Sequence, residues 1–192
     1  MEDYRSEEWF KSLSWQHQWI EKMAGWWVGH FGLPHSVIDF GAGDGWWCKA
    51  FHDMGSKAVA VELFEEAREF IPPQVIFFQH DLREPLWLNS RSTLTICLEV
   101  AEHLPQSAIP VFCDTLVKHT QNMLLFSAAH PSQEGTGHIT LKSQAWWRER
   151  IERPYLKFSP QKTADTKLAF ENINNECFAF LPRNIQVFSR IR

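Results

Sequence analysis

No C-x-x-C pair occurs in these 192 residues, whose four cysteines (Cys48, Cys97, Cys113 and Cys177) stand far apart. That spacing argues against a zinc ribbon or a disulfide framework and suits a reducing compartment. No stretch approaches the ~18 apolar residues of a membrane span. The opening "MEDYRSEEWF" is acidic and polar, without the basic segment and apolar run of a secretory leader. Together these absences point to a cytoplasmic protein. Internal repeats and low-complexity tracts are also missing. Net charge is −4, and no basic stripe of the kind that neutralises many phosphates precedes the C-terminal third. There Arg148, Arg150, Arg153, Lys157, Lys162 and Lys167 form a modest local excess, which reads as a solvated loop rather than a nucleic-acid groove.

Tryptophan, by contrast, is abundant: ten residues, including the pairs Trp26-Trp27, Trp46-Trp47 and Trp146-Trp147. Side chains of that size dominate cores and ligand pockets alike. The length suits one domain spanning 1–192. Residues 13–31 carry a helical stripe of Trp15, Trp19, Met23 and Trp26, after which "GLPH" breaks the helix. Packing against the sheet is the simpler use of such a stripe. Continuous apolar runs predict strands at "VIDF" (37–40), "AVAVE" (58–62), "VIFFQ" (75–79), "TLTICL" (93–98) and "MLLFSA" (123–128). Helices are expected over 46–54, 64–70, 108–120 and 142–152. Past Arg153 the pattern weakens, and only "CFAFL" and "NIQVFSRIR" read as strands. Alternating strands and helices imply right-handed βαβ units and an α/β, doubly wound, mostly parallel sheet. Ligands on such sheets bind beyond the carboxyl ends of the strands.

Asp39 ends the first strand and is followed by Gly41, Ala42, Gly43 and Gly45. Glycines allow positive φ and close backbone approach, so a ligand can rest on this turn. Glu62 ends the next strand, 17 residues after Gly45, where a carboxylate can accept hydrogen bonds from both hydroxyls of a ribose. The spacing is G-x-G-x-G rather than the G-x-G-x-x-G of pyrophosphate-binding turns. An acid before it repels a pyrophosphate and suits a positively charged ligand. Asp81, in "QHDL" after the third strand, is placed to meet an adenine amino group. The set fits a cationic adenosine compound.

Through "VIDFGAGDG", "AVAVE", "HDL" and "LTICLEVAEHLP", in this order and spacing, the sequence resembles the class I S-adenosylmethionine-dependent methyltransferases over about residues 36–130. The resemblance implies a Rossmann-like fold with an antiparallel strand near the C-terminus and an N-terminal helix. It divides the chain into an N-terminal helical cap (1–33), a cofactor-binding core (34–130) and an acceptor-side region (131–192). It also implies S-adenosyl-L-methionine as cofactor. Asp39, Gly41, Ala42, Gly43 and Gly45 would lie on its methionine side, Glu62 and Leu63 at the ribose, Asp81 and Leu82 at the adenine, and Glu99 and Val100 would close over it. Methyltransferases of this class often carry an N-terminal helix across the cofactor as a lid.

Methyl transfer needs alignment and desolvation, and a hydroxyl acceptor must also lose a proton. The candidates for proton handling are His138 in "GTGHIT", then His130 before Pro131, with Glu102 and His103 in "EVAEH". A neutral imidazole can accept a proton at physiological pH. On a helical turn Glu99, Glu102 and His103 could also converge on Mg²⁺ or a similar ion, with His138 or His130 completing the shell. The metal-free reading is preferred, because the same segment resembles the ordinary post-strand-four stretch of metal-free relatives. One of Trp146 and Trp147 is expected to line an acceptor pocket and the other to be core. Trp46 is expected to border the methionine end of the cofactor pocket while Trp47 wedges into the sheet. The acidic chain favours a hydroxyl-bearing small molecule or sugar as acceptor. A nucleic-acid end, a protein, or a cofactor-binding module without catalysis are the alternatives. Oligomeric state cannot be read from the sequence.

Overall fold

The computed structural model describes residues 6–173 and 180–191. Seven strands form one sheet in the order β3-β2-β1-β4-β5-β7-β6. They are β1 (Ser36–Phe40), β2 (Lys57–Glu62), β3 (Ile76–Gln79), β4 (Ser92–Leu98), β5 (Thr120–Ser127), β6 (Leu156–Phe158) and β7 (Gln186–Arg190). The first five are parallel, and β7 runs antiparallel between β5 and β6. The parallel central strands are buried on both faces, with consecutive buried residues from Val37 to Phe40 in β1 and from Leu94 to Cys97 in β4.

The helices are α1 (Glu7–Ser12), α2 (His17–Phe31), α3 (Trp46–Asp53), α4 (Ile109–His119), α5 (Gln144–Ile151), α6 (Pro160–Ile173) and α7 (Phe180–Asn184). Ser6 caps α1 through its side chain, and a 3-10 turn at Leu13–Gln16 joins α1 to α2. The helix expected over 13–31 is therefore split. Its buried stripe is Ile20, Met23, Ala24 and Trp27, whereas Trp15 is exposed and Trp19 and Trp26 are half-buried. The shift is about one residue around the helix, because tryptophan's polar ring nitrogen and size let it sit at a rim as readily as in a core. The turn at 64–70 is a 3-10 segment, Glu65–Glu69.

The largest departures lie past Arg153. Residues 160–173, read as irregular, form α6, whose buried positions are Thr163, Thr166 and Phe170. Two of these three are threonines, so no apolar stripe shows in the sequence. Thr163 Oγ1 accepts the Val187 N–H at 2.9 Å, and Thr166 Oγ1 donates to the Lys162 carbonyl at 2.7 Å. Of the expected strand "CFAFL", Cys177 to Ala179 lie outside the described residues, and Phe180 and Leu181 begin α7 instead. The terminal strand is found at β7.

Candidate functional site

The glycine turn leaves the carboxyl end of β1 and opens α3. Gly41, Gly43 and Gly45 all have positive φ (77°, 57° and 72°). At Gly41 a Cβ would come within 2.4 Å of Val100 Cγ2, so the turn and the segment after β4 interlock. The turn's amides are already engaged. Those of Gly41 and Ala42 donate to the Val61 carbonyl at 2.8 and 3.1 Å, and that of Gly45 to Ala42 at 2.9 Å. The Gly43 N–H donates to Glu62 Oε2 at 3.0 Å, while Leu63 N–H reaches the other carboxylate oxygen at 2.8 Å.

A turn built to hold phosphate keeps its amides open to the anion. Here they are turned inward, one of them onto a buried carboxylate. Asp39 and Asp44 are buried with Glu62 around the same turn. Burial, then the charges of Glu62 and Asp44, push the Asp39 carboxyl up to about 8. Crowded acids of this kind disfavour one another's charge and welcome a cation. The residues present thus fit a positively charged ligand with hydroxyls for Glu62.

The N-terminal segment covers this turn. Leu13 Cδ1 and Trp9 Cη2 lie 3.3 and 3.8 Å from where a Gly43 Cβ would be. Phe10 is buried against Phe70, their rings stacked with centroids 5.2 Å apart. His17 Nε2–H donates to Asp44 Oδ2 at 2.6 Å and the imidazole stacks on Trp46. Trp46 therefore faces the N-terminal helix, donating its indole N–H to Glu21 at 3.3 Å. Trp47 stacks with Phe170 of α6 and packs against the core cluster that includes Val37 of β1 and Leu94 of β4. His17 gave no sequence signal beyond being one of nine histidines.

Asp81 lies just past β3, with its carboxylate held by the Arg83 guanidinium (Nη2 to Oδ2 2.5 Å, Nε to Oδ1 2.9 Å). That pairing holds the Asp81 carboxyl below the usual range. Leu82 is buried and Leu63 is partly exposed.

The segment after β4 carries a second polar group. Glu99 has φ +54°, a strained value for a residue with a side chain. Asn184 Nδ2 donates to both Glu99 oxygens at 3.1 and 3.2 Å, and Gln133 Nε2 to one of them at 3.1 Å. Asn184 and Gln133 were not foreseen; they lie 85 and 34 residues from Glu99, in no motif. Glu102 is fully buried, and burial followed by the Glu99 charge pushes its carboxyl up to about 8. Its backbone carbonyl accepts the Ile139 and Thr140 N–H groups, each at 2.9 Å, which stitches the loop after β5 onto this segment.

That stitching brings Glu102, His103 and His138 together, with one ligand-type atom of each within 4.8 Å of the others. Glu99, expected with them, is occupied by Asn184 and Gln133 instead. His130 is exposed, its ring nitrogen 3.0 Å from Ser132 Oγ. Of the last tryptophan pair, Trp147 is core. Trp146 lines an open cavity of about 390 Å³ with Asp114, Arg150 and Arg153.

Comparison with protein families matches residues 3–157 to a methyltransferase domain. The chain belongs to that family. No curated protein matches the sequence. Among solved structures, its fold is similar to a SAM-dependent methyltransferase from Archaeoglobus fulgidus, at 12% identity over 97% of this chain and 100% of that one, TM-score 0.65. It is similar to magnesium protoporphyrin IX methyltransferase from Synechocystis PCC 6803 with bound SAH, at 17% identity over 92% and 83% of the two chains, TM-score 0.63. It is also similar to the complex between the Haloferax volcanii Trm112 methyltransferase activator and the putative methyltransferase, at 13% identity over 98% and 95%, TM-score 0.67. The chain spans 55% of a glycopeptide N-methyltransferase chain that it also matches. These likenesses give the class I methyltransferase fold. No helix among the described residues is long and apolar enough to cross a membrane.

Proposed function

We propose that this protein is an S-adenosylmethionine-dependent methyltransferase acting on a hydroxyl of a small molecule or sugar. The observation that carries the cofactor is the Gly43 N–H bound to the buried Glu62 carboxylate within a ring of three acids. The turn's inward amides and acidic surround suit a sulfonium nucleoside and oppose a dinucleotide pyrophosphate. Glu62 would hold the ribose, the glycines would line the methionine side, and Asp81, shared with Arg83, would meet the adenine amine. When bound, S-adenosylmethionine supplies a methyl group already activated by the positive sulfur.

The chain's own contribution is positioning, water exclusion and proton handling. Trp9 and Leu13 over Gly43 act as cover for the cofactor. Removal of the acceptor's proton falls to the group formed by Glu102, His103 and His138, since His130 stands apart from it in solvent. Residues 1–33 thus serve as cap, 34–130 as cofactor core and 131–192 as acceptor side. Buried free thiols at Cys48, Cys97 and Cys113 suit a reducing cytoplasm. The relatives named by their substrates include methyltransferases for magnesium protoporphyrin IX and for plantazolicin, so the fold does not dictate the acceptor.

Thermal unfolding with and without S-adenosylhomocysteine tests the cofactor: a ligand that binds the folded state at a hundred times its Kd adds about 2.7 kcal/mol. No stabilisation at millimolar ligand refutes it. A methyl-transfer screen over sugars, phenols, nucleosides, peptides and RNA ends then tests the acceptor class. Turnover confined to peptides or RNA ends refutes the hydroxyl small molecule.

A further inference from the structure

The group formed by Glu102, His103 and His138 has a feature that proton transfer does not require. Both imidazoles are fixed by backbone carbonyls. His103 Nδ1 is 3.1 Å from the Gly137 carbonyl oxygen, and His138 Nδ1 is 3.1 Å from that of Gln133. A carbonyl can only accept, so each Nδ1 carries the proton and each Nε2 presents a lone pair. Carbonyls placed behind imidazoles in this way orient histidines for a metal. The rings lie 5.0 Å apart, inclined at 73°. Beside them Glu102 is fully buried, and neither of its carboxylate oxygens makes a hydrogen bond of ordinary geometry, with the Ala129 N–H and the Glu99 carboxyl close by. A buried carboxyl without a well-formed hydrogen bond is costly to keep unless something else satisfies it.

A third feature is steric. Gly135 packs so closely under His138 that a Cβ there would come within 2.3 to 2.7 Å of the ring's Cε1, Nε2 and Nδ1. The ring is seated in a recess that only glycine leaves open. Two segments therefore converge on one point: the turn after β4, which carries Glu102 and His103, and the glycine loop after β5, which carries His138.

We propose that Glu102, His103 and His138 bind one divalent transition-metal ion of the zinc class, through the two Nε2 atoms and the Glu102 carboxylate. Two imidazoles and a single carboxylate suit zinc, manganese or cobalt, whereas magnesium takes oxygen ligands. Glu99 is not a ligand, because Asn184 and Gln133 hold its oxygens. Three protein ligands leave a coordination position open, the arrangement of sites that act on a bound molecule. Metal binding stands independently of the proposed function. The use of the open position for a hydroxyl oxygen of the acceptor rests on that reading: with the ion bound, the three side chains would hold it rather than take the proton, and the hydroxyl would lose its proton to solvent water as its oxygen takes the methyl group from sulfur.

The test uses the full chain after chelator treatment and gel filtration. Titration with ZnCl2, followed by elemental analysis after desalting, should show one zinc retained per chain at micromolar concentration. Cobalt(II) should give the visible absorption band of a low-symmetry, histidine-ligated ion. His103→Gln and His138→Gln should each weaken zinc binding at least tenfold, as should Glu102→Gln. His130→Ala, outside the group, should bind zinc like the parent. Each variant is also melted with S-adenosylhomocysteine. A retained ligand-induced shift shows an intact fold, so loss of zinc in such a variant reports the ligand itself. Substoichiometric zinc in the parent, unchanged zinc binding in both histidine variants, or saturation by magnesium at concentrations where zinc does not bind overturns the proposal. A parent chain that binds zinc yet gives no shift with S-adenosylhomocysteine refutes the proposed function and leaves the metal site standing.

Discussion

His17 lies flat on Trp46, their ring centroids 3.5 Å apart and their planes 4° from parallel. The same imidazole donates to Asp44 in the glycine turn, so one side chain ties the start of α2 to both the turn and the helix it opens. His17→Ala removes the stacking and the charge-assisted hydrogen bond, a loss of about 1–2 kcal/mol. Because this tie lies where the N-terminal segment enters α2, cleavage by a protease within residues 7–16 should accelerate more than the Tm falls. The cofactor analogue should also bind several-fold more weakly. Equal protease resistance in the variant would show that the tie does not hold the N-terminal segment.

Gly41→Ala meets two obstacles, a φ of 77° and the methyl groups of Val100. The backbone alone costs about 1–2 kcal/mol for a residue with a side chain, and the overlap adds to it. Pairing it with Val100→Ala should restore the part due to overlap and leave the backbone part, a non-additive result readable in urea melts. Additive losses would mean that the two segments do not press on each other.

Glu62→Ala frees the Gly43 and Leu63 amides that the carboxylate accepts. Leaving buried donors unpaired costs about 1–3 kcal/mol. The shift produced by S-adenosylhomocysteine should vanish. Glu62→Gln keeps an oxygen for only one of the two amides and sets its NH2 against the other, so it should lower the Tm as well and lose most of the affinity. An undiminished shift in Glu62→Ala would remove Glu62 from the ribose.

Asp39 gives a pH dependence whose sign is fixed by its raised pKa. In the unfolded chain its carboxyl ionises near 3.9, whereas in the folded protein burial and the charges of Glu62 and Asp44 hold the proton until about pH 8. Between those values the folded state binds the extra proton, so stability falls as pH rises and levels off above about 8. Asp39→Asn removes this loss. Its Tm should match the parent near pH 4 and exceed it by roughly 5 °C or more at pH 8, at about 2–4 °C per kcal/mol for a chain of this size. Glu102, also held protonated up to about 8, leaves a residual slope of the same sign in the variant. A variant that parallels the parent at every pH would place an ordinary carboxylate at residue 39.

The parallel half of the sheet was open to reading because its strands are buried on both faces and its helices alternate with them. "VIDF", "AVAVE" and "TLTICL" fell within a residue or two of β1, β2 and β4. The glycine turn declared itself through residues that only a strained backbone needs. The C-terminal third did not, for a physical reason visible at Thr163 and Thr166: α6 buries hydroxyls that bond to backbone, so its inner face looks polar. Asn184 escaped for another reason. A contact across 85 residues leaves no local pattern, and its amide is ordinary until the fold sets it against Glu99. His17 was passed over similarly, since its partners Asp44 and Trp46 belong to a different element.

The insertion of β7 between β5 and β6 sets a schedule for synthesis. A nascent chain that has emerged as far as α5 already holds every glycine and acid of the turn. It still lacks the strand that pairs with β5 and the Asn184 amide that holds Glu99. Until β7 leaves the ribosome, one side of β5 is an open edge, and Glu99 lacks the Asn184 amide. Chains stalled at about residue 170 should therefore be found with chaperones or proteases, and completion of β7 is the event that closes the sheet.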